Sequence, residues 1–169
     1  MFRRMKREMC VVSSSLPLLI LSAFLCALFG TILWVSGGST NYLLRNGILG
    51  AYSITVGAVF SVWLITYGLV GISLGMIWLA CKCRLILLKA CLTAFALCML
   101  LYLLMESWYA VFFCTRLVLF SAIILFLSIL ICAVVIIITR KSFRLLTFTL
   151  IIIELVQIYF LCFTFRELC

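Results

Sequence analysis

The sequence has no histidine and no aspartate, a single proline, and only four acidic residues, all glutamate, in 169 positions. Those absences remove Ser-His-Asp triads and His-ligated metal or haem sites, and they leave too few acid–base groups for an enzyme. Charge is scarce as well: 10% of residues are charged, against about a quarter in an ordinary soluble domain. So few charges cannot clothe the surface of a water-soluble globule. The net charge of +9 is therefore not read as a nucleic-acid-binding face. No metal and no cofactor is expected. What is abundant is apolar: 69% of the chain is hydrophobic and mean hydropathy is +1.46. The fold class that follows is all-α, a multi-pass transmembrane helical bundle with no soluble domain.

A bilayer core of about 30 Å takes roughly 20 apolar residues as a helix. Five stretches qualify, approximately 11–35, 59–81, 85–105, 117–139 and 145–165. The first is read as a retained span, because its apolar run continues to Val35 without an A-x-A-like cleavage site. The second lies in an uncharged run from Ile48 to Cys81 that is too long for one span. Trp63 and Trp78 then mark its two interfaces, and the segment 36–58 is a polar loop followed by an apolar surface helix or a helix extension. Two short helices broken at Gly68 or Gly71 are the competing reading of this run. Trp108 and Tyr109, after the third span, also occupy interfacial belt positions. Four spans plus a surface helix is the alternative count.

With five spans and a cytosolic N-terminus, Arg3, Arg4, Lys6, Arg7, Lys82, Arg84, Arg140, Lys141 and Arg144 lie on the cytosolic side, and Lys89 snorkels to it. Arg45, Arg116 and Arg166 remain opposite. That bias is the positive-inside pattern, so the net charge is mainly a topology signal. Plasma membrane or endomembrane is the expected location, with the mitochondrial inner membrane as the alternative.

All nine glycines fall between Gly30 and Gly75. Gly50, Gly57 and Gly71 keep a seven-residue register, as do Ser61, Gly68 and Gly75. Together they form one stripe of small residues on the second span. Ser15, Ser22, Ala23, Ala27 and Gly30 supply a shorter stripe on the first. Lipid is as apolar as leucine, so helices in a bilayer associate by close packing, and small residues permit it. The first two spans are expected to pack against each other. The later spans, rich in Leu, Ile, Val and Phe, show no periodicity that selects a face.

Glu154 lies near the midplane of the last span, with Gln157 one turn away on the same face and placed to bond to it. An ionised carboxylate at that depth is costly, so Glu154 is expected to be protonated or hydrogen-bonded, either tying helices together or handling protons. Glu106 is read as a boundary charge. The hydroxyls of the second span, such as Thr66 and Ser73, are expected to bond to their own i−4 carbonyls.

Ten cysteines occur without a C-x-x-C pair, which argues against a thiol–disulfide oxidoreductase. Cys26, Cys91, Cys98, Cys132 and Cys162 fall inside spans as small apolar packers. Cys10, Cys81 and Cys83 sit at the cytosolic boundary beside basic residues, favourable positions for S-palmitoylation. Cys114 and Cys169 lie near water on the other side, where a disulfide could join them.

The opening Met5-Lys6-Arg7-Glu8-Met9-Cys10, the small-residue stripe and the Cys81-Lys82-Cys83-Arg84 turn together resemble a tetraspanin. The resemblance implies paired first and second helices and acylated boundary cysteines. It covers about the first 105 residues and is a likeness of packing physics. Glu106 to Arg116 is too short for the family's large extracellular loop with its Cys-Cys-Gly motif, and the fifth span has no counterpart.

The function expected from these features is a non-enzymatic integral membrane protein acting by lateral helix–helix contacts, as an organiser, adaptor or accessory subunit. Its partners are the lipid bilayer and other membrane proteins or copies of itself; nucleic acid is excluded. A small oligomeric channel or transporter subunit using Glu154 is the alternative.

Overall fold

The computed structural model describes residues 12–36, 56–83, 87–112, 117–140 and 143–166. These residues form five helices: α1 (Leu16–Ser36), α2 (Val56–Lys82), α3 (Leu88–Ala110), α4 (Val118–Thr139) and α5 (Arg144–Arg166). No strand occurs among them. Four of the helices are long and apolar enough to cross a membrane, and α1 is an apolar helix that packs along α2. The chain is an all-α, multi-pass membrane bundle. Pro17 lies in the first turn of α1, where its missing N–H has no intrahelical partner to lose. α2 is a single helix of 27 residues through Gly68 and Gly71. At 1.5 Å per residue it is about 40 Å long, more than the hydrocarbon thickness, so it tilts or projects beyond it. α3 continues past Met105 and takes Glu106 into the helix.

Helices α2 to α5 close a ring, with contacts α2·α3, α3·α4, α4·α5 and α2·α5, while α1 lies against the outside of α2. α2 is thus the hub: 61% of its span is buried, against 28–33% for α3, α4 and α5. The buried faces of the ring follow a three-four alternation. On α4 it runs Ser121, Leu125, Ser128, Cys132, Val135, Thr139; on α5 it runs Leu146, Leu150, Ile153, Gln157, Phe160, Thr164. Cys91, Ala94, Cys98, Leu101, Met105 and Trp108 repeat it on α3, and Trp63, Thr66, Val70, Ser73, Ile77 and Ala80 on α2. A mean period of 3.5 residues is the seam of a left-handed coiled coil. The expectation that the later spans lack a selecting periodicity is therefore overturned. On α3 and α4 the signal is carried largely by Ser, Cys, Ala and Thr inside the seam, while on α5 Leu, Ile and Phe occupy both the seam and the lipid face. Phe120, Phe126, Ile137 and Phe148 are among the exposed side chains.

Candidate functional site

The first candidate surface is the seam between α1 and α2. A Cβ added at Gly71 would collide with the Ser22 carbonyl oxygen and lie 2.8 Å from the Ala23 Cα. One at Gly75 would meet Leu19 Cδ2 and Ser22 Oγ at 2.8 Å, and one at Gly30 would enter the Tyr67 ring. Leu19, Ser22 and Gly30 thus pair with Gly75, Gly71 and Tyr67 in descending order, so the two helices run antiparallel. At Gly71 backbone meets backbone, which only a residue without Cβ permits. The Ser22 hydroxyl is turned to the Leu19 carbonyl of its own helix at 3.0 Å. The rest of the stripe behaves differently. Gly68 has nothing within 4 Å of its Cβ position, and Ser61 is exposed. Gly57 lies in the first turn of α2, and Gly50 lies outside the described residues.

The second candidate is an aromatic layer at the end of the bundle formed by the start of α2 and the ends of α3 and α5. Trp63 stacks on Tyr67 and Phe160 with centroids 5.5 and 5.0 Å apart and tilts against Trp108 at 5.0 Å. Trp108 stacks in turn on Phe112 at 5.3 Å. Trp63 is 1% exposed, and Trp108 and Tyr109 are buried, so these three are core residues and not members of an interfacial belt. The reason is the seam: positions 63 and 108 fall in the three-four register of their helices, and large rings supply their contact area there. Trp78, outside the register, is 59% exposed.

Glu106 also differs from its expected role as a boundary charge. It is half-buried, with Tyr67 of α2 and Tyr102 of α3 close enough to interact with its carboxyl electrostatically. Its Oε1 atom is buried without a hydrogen-bond partner. Tyr102, one turn earlier on α3, donates its hydroxyl to the Cys26 carbonyl of α1 at 3.3 Å. This small cluster joins α1, α2 and α3. The Tyr102–Glu106 spacing of one helical turn was its only trace in the sequence, because Tyr67 and Cys26 arrive from other helices.

Glu154 is partly buried on α5 and close enough to Cys132 of α4 to act on it electrostatically. Gln157 is 1% exposed, and both its amide atoms lack hydrogen-bond partners. The expected Glu154–Gln157 bond is therefore absent: residue 157 is turned into the seam, and residue 154 stands at its flank. Each buried serine and threonine hydroxyl among the described residues is satisfied on its own helix. Thr66 donates to Val62 at 2.7 Å, Ser73 to Leu69 at 2.9 Å and Ser128 to Leu125 at 2.7 Å. Ser121, Thr139, Thr149 and Thr164 do the same.

Among the cysteines, Cys91, Cys98 and Cys132 are buried in the seam. The Cys91 thiol donates to the Ile77 carbonyl at 3.3 Å and Cys132 to the Leu150 carbonyl at 3.5 Å. Cys26 is half-buried, while Cys162 is exposed and so does not pack in the core, because it lies off the buried register of α5. Cys81 and Cys83 are partly exposed at the end of α2. Cys10, Cys114 and Cys169 lie outside the described residues. Among the described residues, no three or more potential metal-ligating His, Cys, Asp or Glu side chains come together. Comparison with protein-family models, with curated proteins and with solved structures finds no match to this chain.

Proposed function

We propose that this chain is a non-enzymatic membrane protein that works through lateral helix–helix contacts, as an organiser, adaptor or accessory subunit of a membrane complex. The observation that carries this reading is the disposal of its polar groups. Among the described residues, every buried serine and threonine hydroxyl is consumed by a carbonyl of its own helix, and the interlocked Trp63, Trp108 and Phe160 rings fill one end of the bundle. Both features favour packing over conduction. The exterior is aliphatic and aromatic, most of all on α1, where Ile20, Phe24, Phe29 and Ile32 face outward. Such a surface serves equally against lipid and against a partner helix. The proposed orientation places the end of α2 at Lys82 in the cytosol, following the cation bias, with acylation of the boundary cysteines as a second anchor. Purification of the full chain in mild detergent is expected to bring stoichiometric membrane proteins or further copies of the chain with it. Recovery of a monodisperse monomer from its native membrane would overturn the reading.

A channel or transporter subunit is the second reading, favoured by the unpartnered amide of Gln157 in the middle of the seam. Glu154→Gln separates the two. Loss of ion or proton flux from proteoliposomes with assembly intact supports transport; lost assembly, or no effect, supports the packing role.

A further inference from the structure

Alongside the closed part of the α1–α2 seam runs an open groove of ≈ 530 Å³, lined only by apolar residues. Val12, Ala23 and Ala27 of α1 and Gly68, Ile72 and Met76 of α2 are among its walls. It opens at the one described glycine on α2 with nothing within 4 Å, whereas Gly71 and Gly75 are sealed by α1. The groove runs along both helices. From Val12 to Ala27 it follows α1 for about 22 Å at 1.5 Å per residue, close to the length of an extended palmitoyl chain. Its lower end, at Val12 and Met76, approaches the boundary where α2 finishes. Seven residues after Met76, two helical turns on and back on the same face, stands Cys83. Its backbone N–H still bonds the Leu79 carbonyl at 2.9 Å, so the helical register holds as far as this residue. Cys83 is partly exposed and follows the exposed Lys82. Cys81 lies on a different face and meets Cys91 of α3.

We infer that Cys83 is an S-acylation site and that its acyl chain lies in the α1–α2 groove, sealing the open half of the seam. The inference deepens the lateral-contact reading and rests on its orientation, with Cys83 at the cytosolic leaflet. In the modification, the Cys83 thiolate attacks the carbonyl carbon of a long-chain acyl thioester. A new sulfur–carbon bond forms, the donor's breaks, and the departing thiolate takes up the proton that Cys83 released. No oxidation state changes. A free phospholipid tail gains little apolar burial by leaving the bilayer for the groove, since both are hydrocarbon. A chain tethered at the mouth has instead a high effective concentration there and little more freedom to lose. Its terminal carbons reach the level of Gly68, where the absent side chain leaves room.

The test feeds eukaryotic cells expressing the full chain with a palmitate analogue bearing a mid-chain diazirine and a terminal alkyne. Hydroxylamine-sensitive label is expected to survive Cys10→Ser and Cys81→Ser and to be largely lost in Cys83→Ser. Irradiation is expected to cross-link the probe to peptides containing Ala23 or Ile72. Gly68→Phe, which fills the groove without touching the thiol, is expected to keep the label and lose those cross-links. Label persisting in Cys83→Ser, or cross-links confined to phospholipid or to α3–α5, would overturn the inference. Partner co-purification is scored on the same samples. Lost partners with acylation intact count against the lateral-contact reading alone, and retained partners with Cys83 unlabelled count against this one alone.

Discussion

Between α1 and α2 the backbones themselves touch, whereas across the ring of α2 to α5 large side chains interlock over a three-four seam. At Gly71 the nearest neighbours of a hypothetical Cβ are a carbonyl oxygen and a Cα, atoms that no rotamer change can move. At Trp63 the neighbours are the rings of Tyr67, Trp108 and Phe160, and the contact area belongs to side chains. One interface is specified by what is missing and the other by what fills it. The first should be intolerant of added atoms, and the second of removed ones.

That contrast can be broken by substitution, reading stability from SDS titration of the protein out of mild detergent, followed by helicity. Trp63→Ala, which empties the middle of the aromatic layer, is expected to cost about 3–5 kcal/mol. A loss below 1 kcal/mol would mean that the layer is not part of the core. Next comes Gly71→Ala, expected to cost about 2–3 kcal/mol by overpacking, with Gly75→Ala costing less because its neighbours are the ends of flexible side chains. Equal tolerance at the two glycines would refute backbone contact at Gly71. Gln157→Leu should move in the opposite direction and stabilise by about 1–2 kcal/mol, since it removes a buried amide without partners. A destabilised Gln157→Leu protein would show instead that the amide has a partner in the membrane. Tyr102→Phe is expected to cost only about 0.6 kcal/mol, the average for interhelical hydrogen bonds in a bilayer, through loss of its contact with Cys26. Gly68→Ala is the smallest effect, near zero or slightly stabilising, because its Cβ enters open space and alanine favours helix.

Legibility in the sequence was uneven. The apolar helices could be read because hydrocarbon imposes a length and a composition on every helix that enters it. The glycine positions pointed to a close approach, yet their spacing could not tell Gly71, pressed against Ser22, from Gly68, open to a groove. Which of two equivalent stripe positions is covered depends on how far along α1 the partner helix is offset. The seam of the later helices was also written in the chain, as Ser121, Ser128 and Cys132 on α4 and Cys91, Ala94 and Cys98 on α3. It was hidden by the greater number of Leu and Ile residues facing outward. In water those residues would mark the core; in lipid they mark the exterior, and the small and weakly polar residues mark the inside.

Trp63, Trp108 and Glu106 show the same limit at single positions. Each lies near an end of a span as assigned from the sequence, where an aromatic ring or a charge commonly meets the headgroups. Each is drawn inward because its neighbours on other helices complete a stacked layer or a hydroxyl cluster.

Composition and run length alone determined that this is a bundle of apolar helices, since backbone polar groups in a bilayer have no other economical way to be satisfied. Only the assembled structure decided which face of each helix turns inward, that Gln157 rather than Glu154 occupies the middle of the seam, and that α1 seals Gly71 but leaves Gly68 open. Those outcomes depend on contacts between residues far apart along the chain, and the relative rotation and offset of two helices are set by the pair and not by either sequence alone.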